Sequence, residues 1–224
     1  MIKNISNLGD AALYCDFGDE VNKEINSQVI KYFRSLKGRN IEGITNLTPS
    51  YNKLIISFDL NKTNFREIKK LIENENVNEI DENFVKKIEI PTCCEDIFAL
   101  DIKRLESKLS LKREKIYENI FEREYFCYMT GFIAGMPFLG DLEKNLRLNR
   151  LDTPRVKVPK GSVGLTEQFA NIYTYESPGG WNIIGNTPSK IFDSSKEKNP
   201  NLINPGDTVK FKKISLEEYD NFNE

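Results

Sequence analysis

Residues 153–165 have the sequence TPRVKVPKGSVGL, a stretch that sets the pattern for the second half of the chain. Two short apolar runs, Val156/Val158 and Val163/Leu165, are separated by Pro159 and Gly161. Further short runs follow between turn residues: Ile172–Tyr175, Trp181–Ile184, Ile191-Phe192 and Val209/Phe211. Many short strands separated by Gly and Pro are typical of antiparallel β-structure that closes, or nearly closes, on itself. We therefore predict a β-barrel domain over residues 85–224.

The first part of the chain alternates strands and helices. Helical spacing of apolar residues predicts helices at Asn22–Leu36 and Thr63–Glu73. Extended patterns are predicted at Ala12–Phe17, Gly43–Leu47, Leu54–Phe58 and Val85–Ile90. The order β-α-β-β-α-β is that of a split-βαβ, ferredoxin-like unit. The predicted fold class is α+β, with a ferredoxin-like domain over residues 1–84 followed by the barrel. Two helices, Leu100–Leu109 and Lys112–Phe121, are expected to flank that barrel.

Composition excludes several classes of function. The 224 residues contain no histidine, so Ser-His-Asp and Cys-His catalysis and histidine-ligated metals are ruled out. The formal net charge of −2 does not provide the basic face of a nucleic-acid-binding domain. No apolar run approaches the roughly 18 residues that span a bilayer, and the N-terminus lacks a signal-peptide profile, so we expect a cytoplasmic protein without membrane contact. The four cysteines contain no C-x-x-C pair and are expected to be reduced thiols, with no metal bound.

Three clusters rich in Gly and Pro are candidate binding segments: residues 131–140, 153–164 and 176–188. Glycine lets backbone amides approach a ligand, and proline fixes the turn that presents them. Barrel corners have the same composition, and both interpretations stay open for each cluster. None of the three is a phosphate-binding loop or a dinucleotide fingerprint. If ATP is used, another chain or an unfamiliar site must bind it.

Two side chains within these clusters carry recognisable chemistry. Arg155, between Pro154 and Val156, has the fork geometry to hold a carboxylate, although a solvated strand face explains it equally well. Trp181 is the only tryptophan, and a role in the barrel core is favoured over a role as a pocket wall. Four carboxylates lie near the clusters in sequence, Asp141, Asp152, Glu167 and Glu176, but no spacing marks two of them as a catalytic pair.

Read in order, the clusters resemble one protein family. The matching stretches are Gly131-Phe132, Phe138-Leu139-Gly140, Thr153-Pro154-Arg155, Val158-Pro159-x-Gly161-Ser162-Val163-Gly164, Ile172-Tyr173, Glu176-Ser177-Pro178-Gly179-Gly180-Trp181 and Gly185-x-Thr187-Pro188. Leu8-Gly9-Asp10-Ala11-Ala12-Leu13 and Phe17-Gly18-Asp19 look like the family's opening. The family comprises the B-type subunit of bacterial 5-oxoprolinase, also called allophanate hydrolase subunit 1, and the KipI-type inhibitor of a sporulation histidine kinase.

The resemblance implies a ferredoxin-like domain followed by a cyclophilin-like β-barrel. It implies a homologous second subunit as partner, of the type found as the C-type subunit of 5-oxoprolinase or as allophanate hydrolase subunit 2. In the 5-oxoprolinase complex it further implies a third, lactam-hydrolase subunit. ATP then drives opening of the 5-oxoproline lactam to glutamate. The substrate-binding residues that it implies, with no catalytic residue assigned, are Phe132, Arg155, Ser162, Ser177, Trp181 and Thr187.

Departures from the family pattern leave a second function open. Ile120 stands where a histidine is usual, Phe169-Ala170-Asn171 replaces Gln-Thr-Gly, and Asn186 replaces an arginine. The scaffold Gly and Pro residues persist, whereas several polar residues do not. An enzyme-complex subunit is the favoured interpretation, and a non-catalytic, protein-binding regulator of the KipI type is the alternative. With neither a histidine nor a phosphate loop, the isolated chain is expected not to turn over 5-oxoproline.

Overall fold

The computed structural model describes residues 2–75, 77 and 85–222 of the chain. Its backbone divides into two compact units, Met1–Phe84 and Val85–Glu224. The first consists of a sheet with helices and the second contains a closed barrel, so the fold is α+β, as predicted.

The first unit contains a four-stranded antiparallel sheet. In spatial order its strands are β1 (Asn4–Asn7), β2 (Ala12–Asp16), β4 (Lys53–Phe58) and β3 (Ile44–Pro49). The helices α1 (Lys23–Arg39) and α2 (Phe65–Glu73) supply the rest of the apolar core. Residues Leu13 and Cys15 of β2 and Leu54 and Ile56 of β4 are fully buried, as expected where alternate residues of a strand face one side.

Helix α1 extends further than the sequence predicted. Its N-terminus is capped by Asn22, whose side chain accepts a hydrogen bond of 2.9 Å from the backbone N–H of Ile25. The helix was expected to end at Leu36 with Gly38 beyond it. It continues through Gly38 and ends at Arg39. The next residue, Asn40, has φ of 44°, which is the left-handed conformation that ends helices.

The strand predicted at Val85–Ile90 belongs to the barrel, on the barrel side of the predicted boundary at residue 85, and not to the β-α-β-β-α-β unit in which it was also counted. Val85–Ile90 was predicted as the last strand of the β-α-β-β-α-β order. It is largely extended, as β5 (Lys87–Cys93), but it pairs in parallel with β13 (Thr208–Ile214). Within the described part of the first unit, the sheet position beside β2 is occupied by β1. The alternation of Ile88 and Ile90 with polar residues indicates a strand, but it does not indicate which other strand pairs with it. The ferredoxin-like assignment stays a prediction, and residues 76 and 78–84, between α2 and β5, lie outside the described residues.

Seven strands of the second unit form a closed barrel. Around the barrel they follow the order β10 (Phe169–Ile172), β7 (Pro137–Gly140), β6 (Glu124–Thr130), β13, β5, β12 (Asn182–Asn186) and β9 (Ser162–Thr166), with β9 returning to β10. Only the β5–β13 pairing among these is parallel. The main apolar cluster of this unit combines strand residues such as Val163, Ile172 and Phe211 with side chains from two helices.

The remaining elements are not strands of the barrel wall. A two-stranded ribbon pairs β8 (Arg155–Val158) with β11 (Ser177–Gly179). Helices α3 (Ile102–Leu109) and α4 (Arg113–Phe121) agree with the predicted positions to within two residues. Helix α5 (Leu216–Asp220) begins with a capping box between Ser215 and Glu218.

Two strand predictions in this unit were wrong. Ile191-Phe192 forms no strand, and Phe192 makes only an isolated bridge to Asn201. The strand predicted at Ile172–Tyr175 lies earlier, as β10. The polar residue Asn171 lies within β10 and interrupts its apolar run, so the apolar pattern did not predict the strand at this position.

A second, smaller apolar cluster lies on the opposite face of the barrel wall; we call it the ribbon cluster. It consists of Met136, Val158, Tyr173 and Ile183, with Ile133, Phe138 and Trp181 packed against it. Ile183 belongs to the ribbon cluster and its neighbour Ile184 to the main cluster. Because successive side chains of a strand point to opposite faces, the wall separates the two clusters. The ribbon therefore covers part of the outer surface of the barrel through Val158.

Candidate functional site

Residues from all three Gly/Pro clusters meet at Tyr173. The backbone N–H of Tyr173 donates to the carbonyl of Ser162 at 2.9 Å, and its carbonyl accepts from the N–H of Gly161 at 2.7 Å. Met136, from the first cluster, packs in the same ribbon cluster. From the third, Gly179 lies so close that an added methyl group would be 2.8 Å from Cζ of Tyr173. The clusters thus converge on the ribbon side of the barrel.

The Tyr173 side chain is buried and serves as a neutral group. It is 1% exposed, and burial raises the pKa of its phenol above the ordinary value. A phenol that holds its proton more firmly can donate a hydrogen bond, but it is a poor general base at neutral pH.

Arg155 is fixed by an ion pair to Asp101. Nη2 of Arg155 donates to Oδ1 of Asp101 at 2.6 Å, and Oδ2 of Asp101 accepts from the backbone N–H of Ile183 at 2.7 Å. The backbone N–H of Asp101 also donates to the carbonyl of Ile183 at 2.9 Å. The Arg155 side chain is 27% exposed, and its Nη1 is buried without a hydrogen-bond partner. Arg155 is thus bonded to a buried carboxylate. This differs from the alternative interpretation of Arg155 as a solvated residue on a strand face.

Two further arginines lie along the segment that follows β11. An added methyl group on Gly180 would lie 3.1 Å from both Nε and Nη2 of Arg150, so that guanidinium rests against the Gly180 backbone. Nη1 of Arg104 donates to Oδ1 of Asn182. The same Asn182 amide donates to the carbonyls of Leu165 and Asn149, at 2.9 and 3.2 Å. We call residues Gly179–Asn182 the arginine-flanked segment.

The other predicted site residues differ in placement. Ser177 lies on β11 opposite Val158, and its hydroxyl oxygen is buried without a hydrogen-bond partner. Ser162 is buried opposite Asn186. The Thr187 hydroxyl accepts from the N–H of Ser189 at 3.2 Å, so it already has a local partner.

The two predicted aromatic residues occupy contrasting surroundings. Trp181 packs edge-to-face against Phe138, with ring centroids 5.6 Å apart, and keeps part of its surface in solvent. Phe132 is 76% exposed, and its ring makes none of the contacts that join the three clusters. The structure therefore brings Arg155, Ser177 and Trp181 to the ribbon side of the barrel but leaves Phe132 on the surface.

Sequence reasoning missed Asp101 and did not assign a role to Asn171. Asp101 precedes α3, where an aspartate is usually a helix cap, but its side chain makes no capping bond. Its actual partner is 54 residues away in the sequence. Asn171 is fully buried; its amide donates weakly to Sδ of Met136 at 3.9 Å, and its Oδ1 has no partner. For Asn171, the signal in the sequence was a polar residue within an otherwise apolar strand.

Two of the carboxylates near the clusters, Asp141 and Glu176, are bonded to other side chains, and the cysteines are buried. Asp141 accepts hydrogen bonds from the Tyr128 hydroxyl at 2.9 and 3.0 Å, and Glu176 pairs with Lys157 at the surface. All four cysteines are free and buried. Among the described residues, no group of three or more His, Cys, Asp or Glu side chains could hold a metal ion. In the same residues, no helix is both long and apolar enough to cross a membrane.

The fold and these motifs define the class of protein. Residues 3–203 match the family model of the carboxyltransferase domain, subdomain C and D. The chain belongs to this carboxyltransferase-domain family.

Individual relatives place the chain more finely within the class. It is 31% identical over 233 aligned positions to the B-type subunit of 5-oxoprolinase from Bacillus subtilis, covering 98% of this chain and 96% of that protein. This agrees with the resemblance found in the sequence. It is 24% identical to urea amidolyase of Saccharomyces cerevisiae over 96% of this chain, which is 13% of that enzyme. The crystal structure of TTHA0988 superposes with a TM-score of 0.84 at 28% identity over 92% of this chain. This chain spans 40% of TTHA0988.

Proposed function

We propose that this chain is a subunit of an ATP-dependent complex of the 5-oxoprolinase type, which opens 5-oxoproline to glutamate. The observation that carries the proposal is the match to the B-type subunit of 5-oxoprolinase along nearly the whole of both chains. In urea amidolyase the matching segment is a small part of a much longer chain. Both relatives are consistent with a domain that works beside other domains or subunits.

The chemistry of this chain supports a divided site. It contains no histidine, and the buried Tyr173 phenol is a poor base. Arg155 and its neighbours can bind and orient an anionic substrate but cannot activate water. ATP and the general base would therefore come from a homologous second subunit and a third, lactam-hydrolase subunit. In this arrangement Arg155, Ser177 and Trp181 are the residues of this chain nearest the substrate.

The test is glutamate release from 5-oxoproline with ATP. The purified chain alone is assayed first, and then the chain with a C-type 5-oxoprolinase subunit and a lactam-hydrolase subunit. We expect turnover only in the reconstituted complex. Robust turnover by the isolated chain would contradict the divided site, and a fully assembled complex that leaves 5-oxoproline intact would contradict the function.

Exposed apolar side chains favour a second function, that of a protein-binding regulator. Phe132 is 76% exposed and Val156 is 81% exposed, and both belong to Gly/Pro clusters. Such side chains suit a protein-binding face, as expected for a regulator of the KipI type. This function predicts that the purified chain inhibits autophosphorylation of a sporulation histidine kinase and that Phe132→Ser relieves the inhibition. An unchanged autophosphorylation rate would count against it.

A further inference from the structure

We propose that the arginine-flanked segment, Gly179–Asn182, is a binding site for a small carboxylate, formed by Arg104, Arg150 and Arg155 with Trp181 beside them. The choice of 5-oxoproline as the carboxylate rests on the proposed function. The existence of an anion site rests on the geometry and charge of the segment.

The three guanidinium groups reach the segment from two parts of the chain, helix α3 and the stretch of residues 150–155. Arg155 lies opposite Gly179 across the ribbon. Arg150 rests against Gly180, and Arg104 extends from α3 to Asn182. A Cβ atom at position 180 would lie 3.1 Å from Nε and Nη2 of Arg150, so the absence of a side chain at Gly180 leaves room for this guanidinium. A short stretch of four residues is therefore flanked by three permanent positive charges.

Among the described residues, the three arginines outnumber the carboxylates that are bonded to them. Asp101 is the one carboxylate bonded to them among the described residues, and it is shared between Arg155 and the Ile183 backbone. Within residues 2–75, 77 and 85–222, no carboxylate pairs with Arg104 or Arg150. Nη1 of Arg155 is in addition a buried donor without an acceptor. A bound anion would supply the acceptor that this donor lacks and the charge that the cluster lacks.

A carboxylate on a small planar molecule fits the surroundings best. Guanidinium groups bind carboxylates through paired N–H donors, and Arg150 has no competing partner among the described residues. Trp181 lies within the segment and is partly exposed, so its indole is the aromatic surface within the segment that the rest of a ligand could contact. In 5-oxoproline a carboxylate is attached to a nearly flat lactam ring, which meets both requirements.

Trp181 also provides the measurement, because it is the only tryptophan in the chain. The full chain is titrated with 5-oxoproline and, separately, with 2-pyrrolidone, the same lactam without the carboxylate. We expect a saturable change in tryptophan emission with 5-oxoproline and none with 2-pyrrolidone at equal concentration. Added KCl should weaken binding, as it does for exposed charge pairs.

Variants separate charge from fold. Arg150→Gln should raise the Kd for 5-oxoproline about tenfold, which corresponds to about 1.4 kcal/mol. Arg150→Lys, which retains the charge, should raise it by a smaller factor. Arg66→Gln, at an exposed position of α2 in the other unit, is the matched control and should leave the Kd unchanged. Circular dichroism confirms that each variant is folded.

The outcomes distinguish this site from the proposed function. Equal responses to both lactams, an absent response to 5-oxoproline, or an unchanged Kd in both Arg150→Gln and Arg104→Gln would overturn the site. Each of these results is compatible with normal ATP-dependent turnover by the complex, which is measured separately. Carboxylate-dependent binding that is lost in Arg150→Gln would support the site even if the complex proved inactive on 5-oxoproline.

Discussion

Asp101 and Arg155 form an ion pair of 2.6 Å that also fixes the barrel wall, because the same carboxylate accepts the backbone N–H of Ile183. Replacing Asp101 with alanine removes both bonds and leaves a largely buried guanidinium without its counter-charge. We expect the free energy of unfolding to fall by about 2–3 kcal/mol, less than for a fully buried pair because Arg155 is 27% exposed. Urea denaturation followed by Trp181 emission measures the change in the barrel unit. Asp152→Ala, at an exposed position, is the control, and equal stability of the two variants would contradict the assigned role.

Close packing between Gly179 and Tyr173 predicts a steric effect. A methyl group on Gly179 would overlap the phenolic oxygen of Tyr173 and lie 2.8 Å from Cζ. Gly179→Ala should therefore lower the unfolding free energy by about 1–3 kcal/mol through overpacking. Gly38→Ala is the matched control, since its added methyl group meets nothing within 4 Å and the site is helical. That variant should instead stabilise α1 by about 0.5–1 kcal/mol. If both variants shift the urea midpoint in the same direction, the packing argument fails.

The cysteines are predicted to be unreactive in the native chain. Burial raises the pKa of Cys15 and of Cys94 to about 12, and it also raises the pKa of Cys127. A disulfide reagent that measures free thiols at pH 8 should react negligibly with folded protein and with all four cysteines after denaturation. Rapid modification of any cysteine in the native chain would show that its surroundings open.

Acid should weaken the first unit through Asp16. Lys53 donates to Asp16 at 2.5 Å and lowers the pKa of that carboxyl, with help from the Gly18 N–H at 2.8 Å. A lowered native pKa contributes stability above the unfolded value of about 3.9 and loses it as pH falls through the native value. The contribution is small, below about 1 kcal/mol, because the pair is partly exposed. Protection factors for amide hydrogen exchange, which correct for the intrinsic pH dependence of exchange, should fall at residues 12–16 and 53–58 between pH 6 and pH 3 in the native chain, and less so in Asp16→Asn. Identical pH profiles would contradict the role of Asp16.

Local features of the fold were accessible from the sequence. Apolar spacing located α3 and α4 to within two residues, and Ser215 with Glu218 form the capping box that their spacing predicts. These features depend on residues three or four positions apart, which a helix brings together whatever surrounds it. The short strand β1 was missed because a single isoleucine among polar residues gives no alternating pattern.

Long-range pairings were not accessible. The sequence indicated a strand at Val85–Ile90, but its parallel partner begins more than a hundred residues later, at Thr208. At the site, Arg155 was identified as a possible carboxylate-binding residue, whereas the carboxylate that it binds within the chain was not. Asp101 precedes a helix and resembles an ordinary cap in the sequence. Because α3 packs beside β12, its carboxylate instead bonds Arg155 and the backbone N–H of Ile183.

The position of β13 between β6 and β5 has a consequence for how the chain folds during synthesis. Until Thr208–Ile214 have been made, the strands on either side of that gap are unpaired edges, able to join strands of other nascent chains. Closure must await one of the last described segments and must join residues far apart in sequence, which slows folding. We therefore expect the barrel unit to depend on chaperones that shield exposed edges while the ribosome completes the chain.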